Sequence, residues 1–289
     1  MRAASIFVGV IFGTLLLAAL VAWPAWTLVH ALEPEWPFHR IVSRLWQLVL
    51  LGALLLAMRS LRLRDRADWG YGLPRPVFLR QFAAGLAIGV ATMLPMSIVM
   101  HALGVHVLRP EFDAALLAAA VLEGAAIGLA VAVVEETFFR GLMYRAIDRE
   151  SGFAAAAWCT ALIYSSIHFF ARVKIPAEEV AWDSGFRLLA GALTNFTHPL
   201  AVVDSFVTLT LVGLLLAMVR RRTGAIAACI GLHMGWVCVI KATTSLTATN
   251  EASAWSFVVS DFDGYTGWLV AAWAALLLAA AARYYRLEH

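Results

Sequence analysis

An all-α, polytopic membrane bundle of about eight helices is the fold class this sequence predicts. Three observations predict it. The chain is 62% hydrophobic and only 14% charged, where soluble domains run about 45–50% apolar and about 25% charged. Mean hydropathy is correspondingly high, +0.80. Apolar runs close to the ~20 residues a bilayer requires recur along the chain, and arginines cluster after every second run.

The runs are roughly Ile6–Val29, Ile41–Met58, Phe78–Leu103, Ala115–Phe139, Phe153–Phe170, Ala201–Val219, Ala225–Ile240 and Trp268–Ala282. The second and seventh are short, as a tilted or partly enclosed helix allows. No internal repeat or soluble domain interrupts them, so residues 1–286 read as one membrane domain, and Leu287-Glu288-His289 resembles the start of an expression tag.

Orientation follows from the arginines. Arg59, Arg62, Arg64 and Arg66 follow the second run; Arg140, Arg145 and Arg149 the fourth. Arg220, Arg221 and Arg222 follow the sixth; Arg283 and Arg286 the eighth. Acids such as Glu33, Glu35, Glu111, Glu251, Asp261 and Asp263 occupy the other loops. Basic loops stay on the cytoplasmic side, so both termini are expected there, in a bacterial inner (plasma) membrane. The loop at 171–200 breaks the pattern, mixing Arg172, Lys174 and Arg187 with Glu178, Glu179 and Asp183. Its Val180, Trp182, Phe186, Leu189 and Leu193 recur near helical spacing, which predicts an interfacial helix anchored by Trp182; a substrate gate is the sharper expectation.

Several function classes drop out. The net charge is only +3, and the basic clusters serve orientation, so no nucleic-acid partner is expected. Cys159, Cys229 and Cys238 lie in apolar runs without CxxC spacing, which provides neither disulfide framework nor cysteine metal site. The expected partner is the bilayer itself.

One stretch carries chemistry. Glu135 and Glu136 end a long apolar run, and Arg140 follows one helical turn later. An unpaired carboxylate deep in a bilayer costs at least about 2.5 kcal/mol, so such residues are candidates for function by default. The competing view is a helix end stapled by the i,i+4 pair Glu136–Arg140. Two histidines weigh against it. The fourth and fifth runs form a hairpin turning near Ser151-Gly152, with Glu135 and His168 each about 16 residues from the turn, hence ~25 Å along their helices. His233 lies about ten residues past the turn at Thr223-Gly224, ~15 Å in. A hairpin tip protruding ~10 Å into the cytoplasm brings all three to one level.

The series Glu135-Glu136-xxx-Arg140, then Tyr164-xxx-His168, then His233 on a later span, resembles the CPBP family (CAAX protease and bacteriocin-processing, also Abi), which includes the Ras-converting CAAX endopeptidases. The resemblance covers about residues 75–245. It departs at two places: Tyr164 stands where the family usually has Phe, and Val237 where it usually has Asn. The resemblance implies an intramembrane endopeptidase acting on a membrane-tethered or C-terminal peptide such as a CAAX-like or sorting tail.

Amide hydrolysis needs an activated water, a stabilised oxyanion and a proton for the leaving amine. A carboxylate in a poorly solvated bundle is a stronger base than in water, which suits Glu135. His168 is then expected to position the water, and His233 to serve the oxyanion, a task the missing Asn normally shares. Trp236 N–H or the backbone near Gly235 are candidate replacements. Glu136 with Arg140 is expected to lock the helix and orient Glu135. A zinc ion held by Glu135, His168 and His233 is the alternative; no HExxH is present and the ligands lie on three helices, and the resemblance, to family members read as glutamate-dependent proteases, implies a metal-free site without cofactor. A non-catalytic immunity or scaffold protein, or a proton-coupled transporter, would be the functional alternatives. Glu123 points away from Glu135, Asp204 caps a helix, and His30, His39, His101, His106 and His198 are expected to be solvated.

Overall fold

The computed structural model describes residues 2–170 and 173–287. Arg172 of the mixed-charge loop and Glu288-His289 of the tag-like end lie outside the described residues. The chain is almost wholly helical. Six of its described helices are long and apolar enough to cross a membrane. One of the six is a 55-residue run, Ala114–His168, interrupted at Gly152 (φ 78°, ψ 174°). That left-handed backbone suits glycine, and it lies where the hairpin turn was expected. A shorter apolar helix, Trp268–Tyr284, matches the last predicted run.

Two compact units share the chain. The first comprises Met1–Arg64 and Ser166–Pro199. It contains α1 (Arg2–Leu32), α2 (Phe38–Ser60) and, later in order, α6 (Ser184–Ala192). Ala22, Phe38, Val42 and Ile175 form its core, with Trp26 and Leu188 packed against them. Trp46 Nε1 donates to Thr14 Oγ1 at 3.1 Å, tying α2 to α1. α6 is the helix anticipated in the long loop, shorter than its apolar spacing suggested, and Trp182 before it is 74% exposed.

The second unit comprises Asp65–Ser165 and Leu200–His289. It holds α3 (Arg75–Ala102), α4 (Ala114–Glu136), most of α5 (Tyr144–His168), α7 (Val203–Thr223), α8 (Ala227–Leu246) and α9 (Trp268–Leu287). α8 packs against both α3 and α4, and small residues set the spacing. A Cβ on Gly231 would lie 2.1 Å from the Phe82 carbonyl oxygen, and one on Gly89 2.4 Å from that of Leu232. On the other side, a Cβ on Gly128 would lie 2.9 Å from the Met234 carbonyl. Lipid offers helices no hydrophobic drive to associate, so close backbone approach supplies the attraction. Gly231→Ala should therefore force α3 and α8 apart, at about 1–3 kcal/mol for an overpacked contact. Gly9→Ala, with nothing within 4 Å, should leave thermal unfolding in detergent unchanged.

A two-stranded antiparallel ladder, β1 (His106–Leu108) with β2 (Thr247–Thr249), joins the far ends of α3 and α8. This corrects one expectation: His106 is not solvated but 2% exposed. Its Nδ1 meets Thr247 Oγ1 and its Nε2 the Gly264 carbonyl, both at 2.8 Å. Asp204 does not cap α7, whose cap position is Val202 without a side-chain cap; it stands in the first turn, accepting from Ser205 N at 2.7 Å and Ser260 Oγ at 3.0 Å.

Candidate active site

At the end of α4, Val133 and Val134 face outward, while Ala132 and Glu136 are fully buried. Glu135 lies between, its side chain 23% exposed. A π-helical stretch follows, Thr137–Met143. Such wider turns are rare and recur at functional sites. Here Thr137 Oγ1 donates to the Val133 carbonyl at 2.6 Å and lies 2.6 Å from the Tyr71 hydroxyl. The loop before α3 thereby fastens the junction of the two helical forms.

Arg140 is the largest fully buried side chain among the described residues. Its Nη1 donates to Glu136 Oε1 at 3.4 Å, and its Nη2 to the Gly213 carbonyl of α7 at 3.3 Å. Its guanidinium lies 4.7 Å from the ring centroid of Tyr164, a cation–π distance. Gly213 makes room for this: a Cβ there would sit 2.8 Å from Ala161 and 3.5 Å from Arg140 Nη2. Arg220 Nε, two turns along the same face of α7, donates to the Arg140 carbonyl at 3.0 Å.

His233 of α8 completes the cluster. Its Nδ1 is 2.8 Å from Glu136 Oε1, and its Nε2 is 3.9 Å from Glu135 Oε2. Because Oε1 already accepts from Arg140, and a carboxylate can only accept, Nδ1 carries the proton in the first contact. That leaves Nε2 turned toward Glu135. The 3.9 Å gap is beyond a direct hydrogen bond and fits groups that share a small molecule between them. The His233 ring also meets Tyr164 edge-on, centroids 6.4 Å apart.

The structure thus gathers Glu135, Glu136, Arg140, Tyr164 and His233 within the second unit. His168 ends α5 one helical turn after Tyr164, and falls in the stretch assigned to the first unit. Trp236 turns to α3: its indole N–H donates to Thr92 Oγ1 at 3.0 Å, so the donor considered for the oxyanion is committed elsewhere. Gly235 likewise abuts the backbone of Leu86 and Val90. Among the described residues, no three His, Cys, Asp or Glu side chains group so as to hold a metal ion.

Two participants were not singled out from sequence. Gly213 had no chemical signature at all, and Arg220 was read only as an orientation charge. The one available hint was their seven-residue spacing, which places both on one helical face.

An apolar helical bundle with a buried acid–histidine–arginine cluster defines a polytopic membrane protein with an internal polar centre. Residues 117–239, which carry every member of that cluster, match the family described as Type II CAAX prenyl endopeptidase Rce1-like. The family is the one the motifs resemble. No curated protein and no solved structure gives a significant match.

Proposed function

We propose that the chain is an intramembrane endopeptidase that hydrolyses a peptide bond of a membrane-associated or C-terminal substrate, with water activated by Glu135. The observation that carries the reading is the 3.9 Å separation of Glu135 Oε2 and His233 Nε2, with the imidazole anchored at Nδ1 by Glu136. Glu135 takes a proton from water as its oxygen attacks the scissile carbonyl carbon. The carbonyl oxygen gains the negative charge. With Nδ1–H on Glu136, a second proton at Nε2 would let His233 donate to that oxyanion, its charge facing the Glu136 carboxylate while Glu135 holds the proton taken from water. Glu135 then returns its proton to the leaving amine as the C–N bond breaks. His168, one turn beyond Tyr164, is the group proposed to position the water. The basic ends of the second, fourth, sixth and eighth predicted runs support access to the site, and both termini, on the cytoplasmic side.

Val237, one turn after His233, is the feature that favours a second reading, a non-catalytic immunity or scaffold protein, because valine cannot hydrogen-bond an oxyanion. The test is the purified chain in liposomes with a prenylated C-terminal peptide, product release being followed by mass spectrometry. The wild type should release the C-terminal fragment, and Val237→Asn should cleave faster, by up to about 10²-fold if a full oxyanion donor is regained. No release from either form supports the scaffold. Proton-coupled flux without release supports a transporter.

A further inference from the structure

A groove of about 340 Å³ runs between α3, α7 and α9 over one side of α8. Gln81 and Thr223 lie at one end, Thr92 and Trp236 at the other, and Gly85, Leu215, Leu232 and Leu277 line the space between. From Gln81 to Thr92 is eleven residues of α3, about 16 Å. That length and an almost wholly apolar lining suit an extended alkyl chain. Neither α4 nor α5 lines the groove, so its occupant does not lie against Glu135 or Glu136.

The Gln81 end is basic. Arg80 adjoins Gln81, Arg222 adjoins Thr223 and Arg283 lies two residues past Ala281, another lining residue; all three arginines are exposed. α3 and α9 carry no Asp or Glu, and Asp204, the acid of α7, lies at the opposite end of that helix. Gln81 Oε1 is buried there without a hydrogen-bond partner among the described residues. We infer that the groove is a binding site for one acyl chain of an anionic phospholipid, whose phosphate is held by Arg80 and Arg283 and whose headgroup hydroxyls donate to Gln81 Oε1. An alkyl chain is drawn in by its length and the headgroup by its charge. The assignment is independent of the proposed hydrolysis.

The test is native mass spectrometry of the full chain in detergent, titrated with phosphatidylglycerol or phosphatidylcholine. The wild type should retain one phosphatidylglycerol and prefer it to phosphatidylcholine. Ala84→Phe and Ala281→Phe fill the groove from opposite walls. Each should lower retention at least about tenfold, since every buried methylene is worth about fourfold in binding. Arg80→Gln with Arg283→Gln should abolish the headgroup preference while leaving the chain bound. Equal retention by the filled variants overturns the site, and equal affinity of the wild type for both lipids overturns the headgroup. Displacement of phosphatidylglycerol by a soluble farnesylated cysteine overturns the phospholipid in favour of a lipidated peptide. Thermal unfolding identifies a misfolded variant, and the variant on the other wall then decides.

Discussion

Glu135→Gln lowers the cleavage rate by about 10³–10⁴-fold or more, because the amide keeps the shape but cannot take a proton from water, and general acid–base catalysis contributes about 10²–10⁴ at each step it serves. Its stability should change little. The Glu135 side chain is partly exposed (23%), His233 Nε2 stands 3.9 Å from its Oε2, and glutamine keeps its size and shape. Peptide cleavage and thermal unfolding measured on one preparation check both halves. A rate loss accompanied by an equal loss of folded protein would mean that Glu135 holds the bundle together and does no chemistry.

Arg140→Met has the opposite signature. The guanidinium is fully buried and bonded to Glu136 and the Gly213 carbonyl, and its removal leaves a buried carboxylate with His233 as its remaining bonded partner. Breaking such a pair from one side costs about 3–5 kcal/mol, so this variant should unfold at markedly lower temperature or denaturant. Lysine should not rescue it, since a single ammonium cannot reach both acceptors while lying flat on Tyr164. Arg140→Met combined with Glu136→Gln should recover much of the stability, because the pair's charge disappears from both sides. Cleavage should not recover, as a neutral amide holds His233 less firmly. A double variant no more stable than Arg140→Met would contradict this view of the pair.

The apolar runs show most of this fold in the sequence, because a bilayer imposes helix length directly. The hairpin turn was visible as Ser151-Gly152, and Gly152 does adopt the positive φ that a turn uses. The ladder that buries His106 was hidden, since it joins residues about 140 positions apart and is built from only three residues on each side. The candidate site was legible as residue types, but not as pairings. Glu136 was expected to pair with Arg140 and orient Glu135; the Arg140 pair is present, and the same oxygen also meets His233 at 2.8 Å, a contact the sequence did not suggest. Rotation of α8 against α4 decides that contact, and it is set by glycines such as Gly128 and Gly231, whose importance lies in the atoms they lack. The π-helical stretch after Glu136 shifts the phase of every later residue, and a regular helix drawn through Arg140 cannot anticipate it.

The account stands on hydrolysis by a water that Glu135 activates without a metal. The most direct measurement is single-turnover cleavage in ¹⁸O-labelled water, after thorough chelation and with metal content assayed on the same sample. The result expected is one labelled oxygen in the newly formed carboxylate and a rate equal to that of the unchelated protein. A rate that vanishes on chelation and returns with added zinc would contradict it.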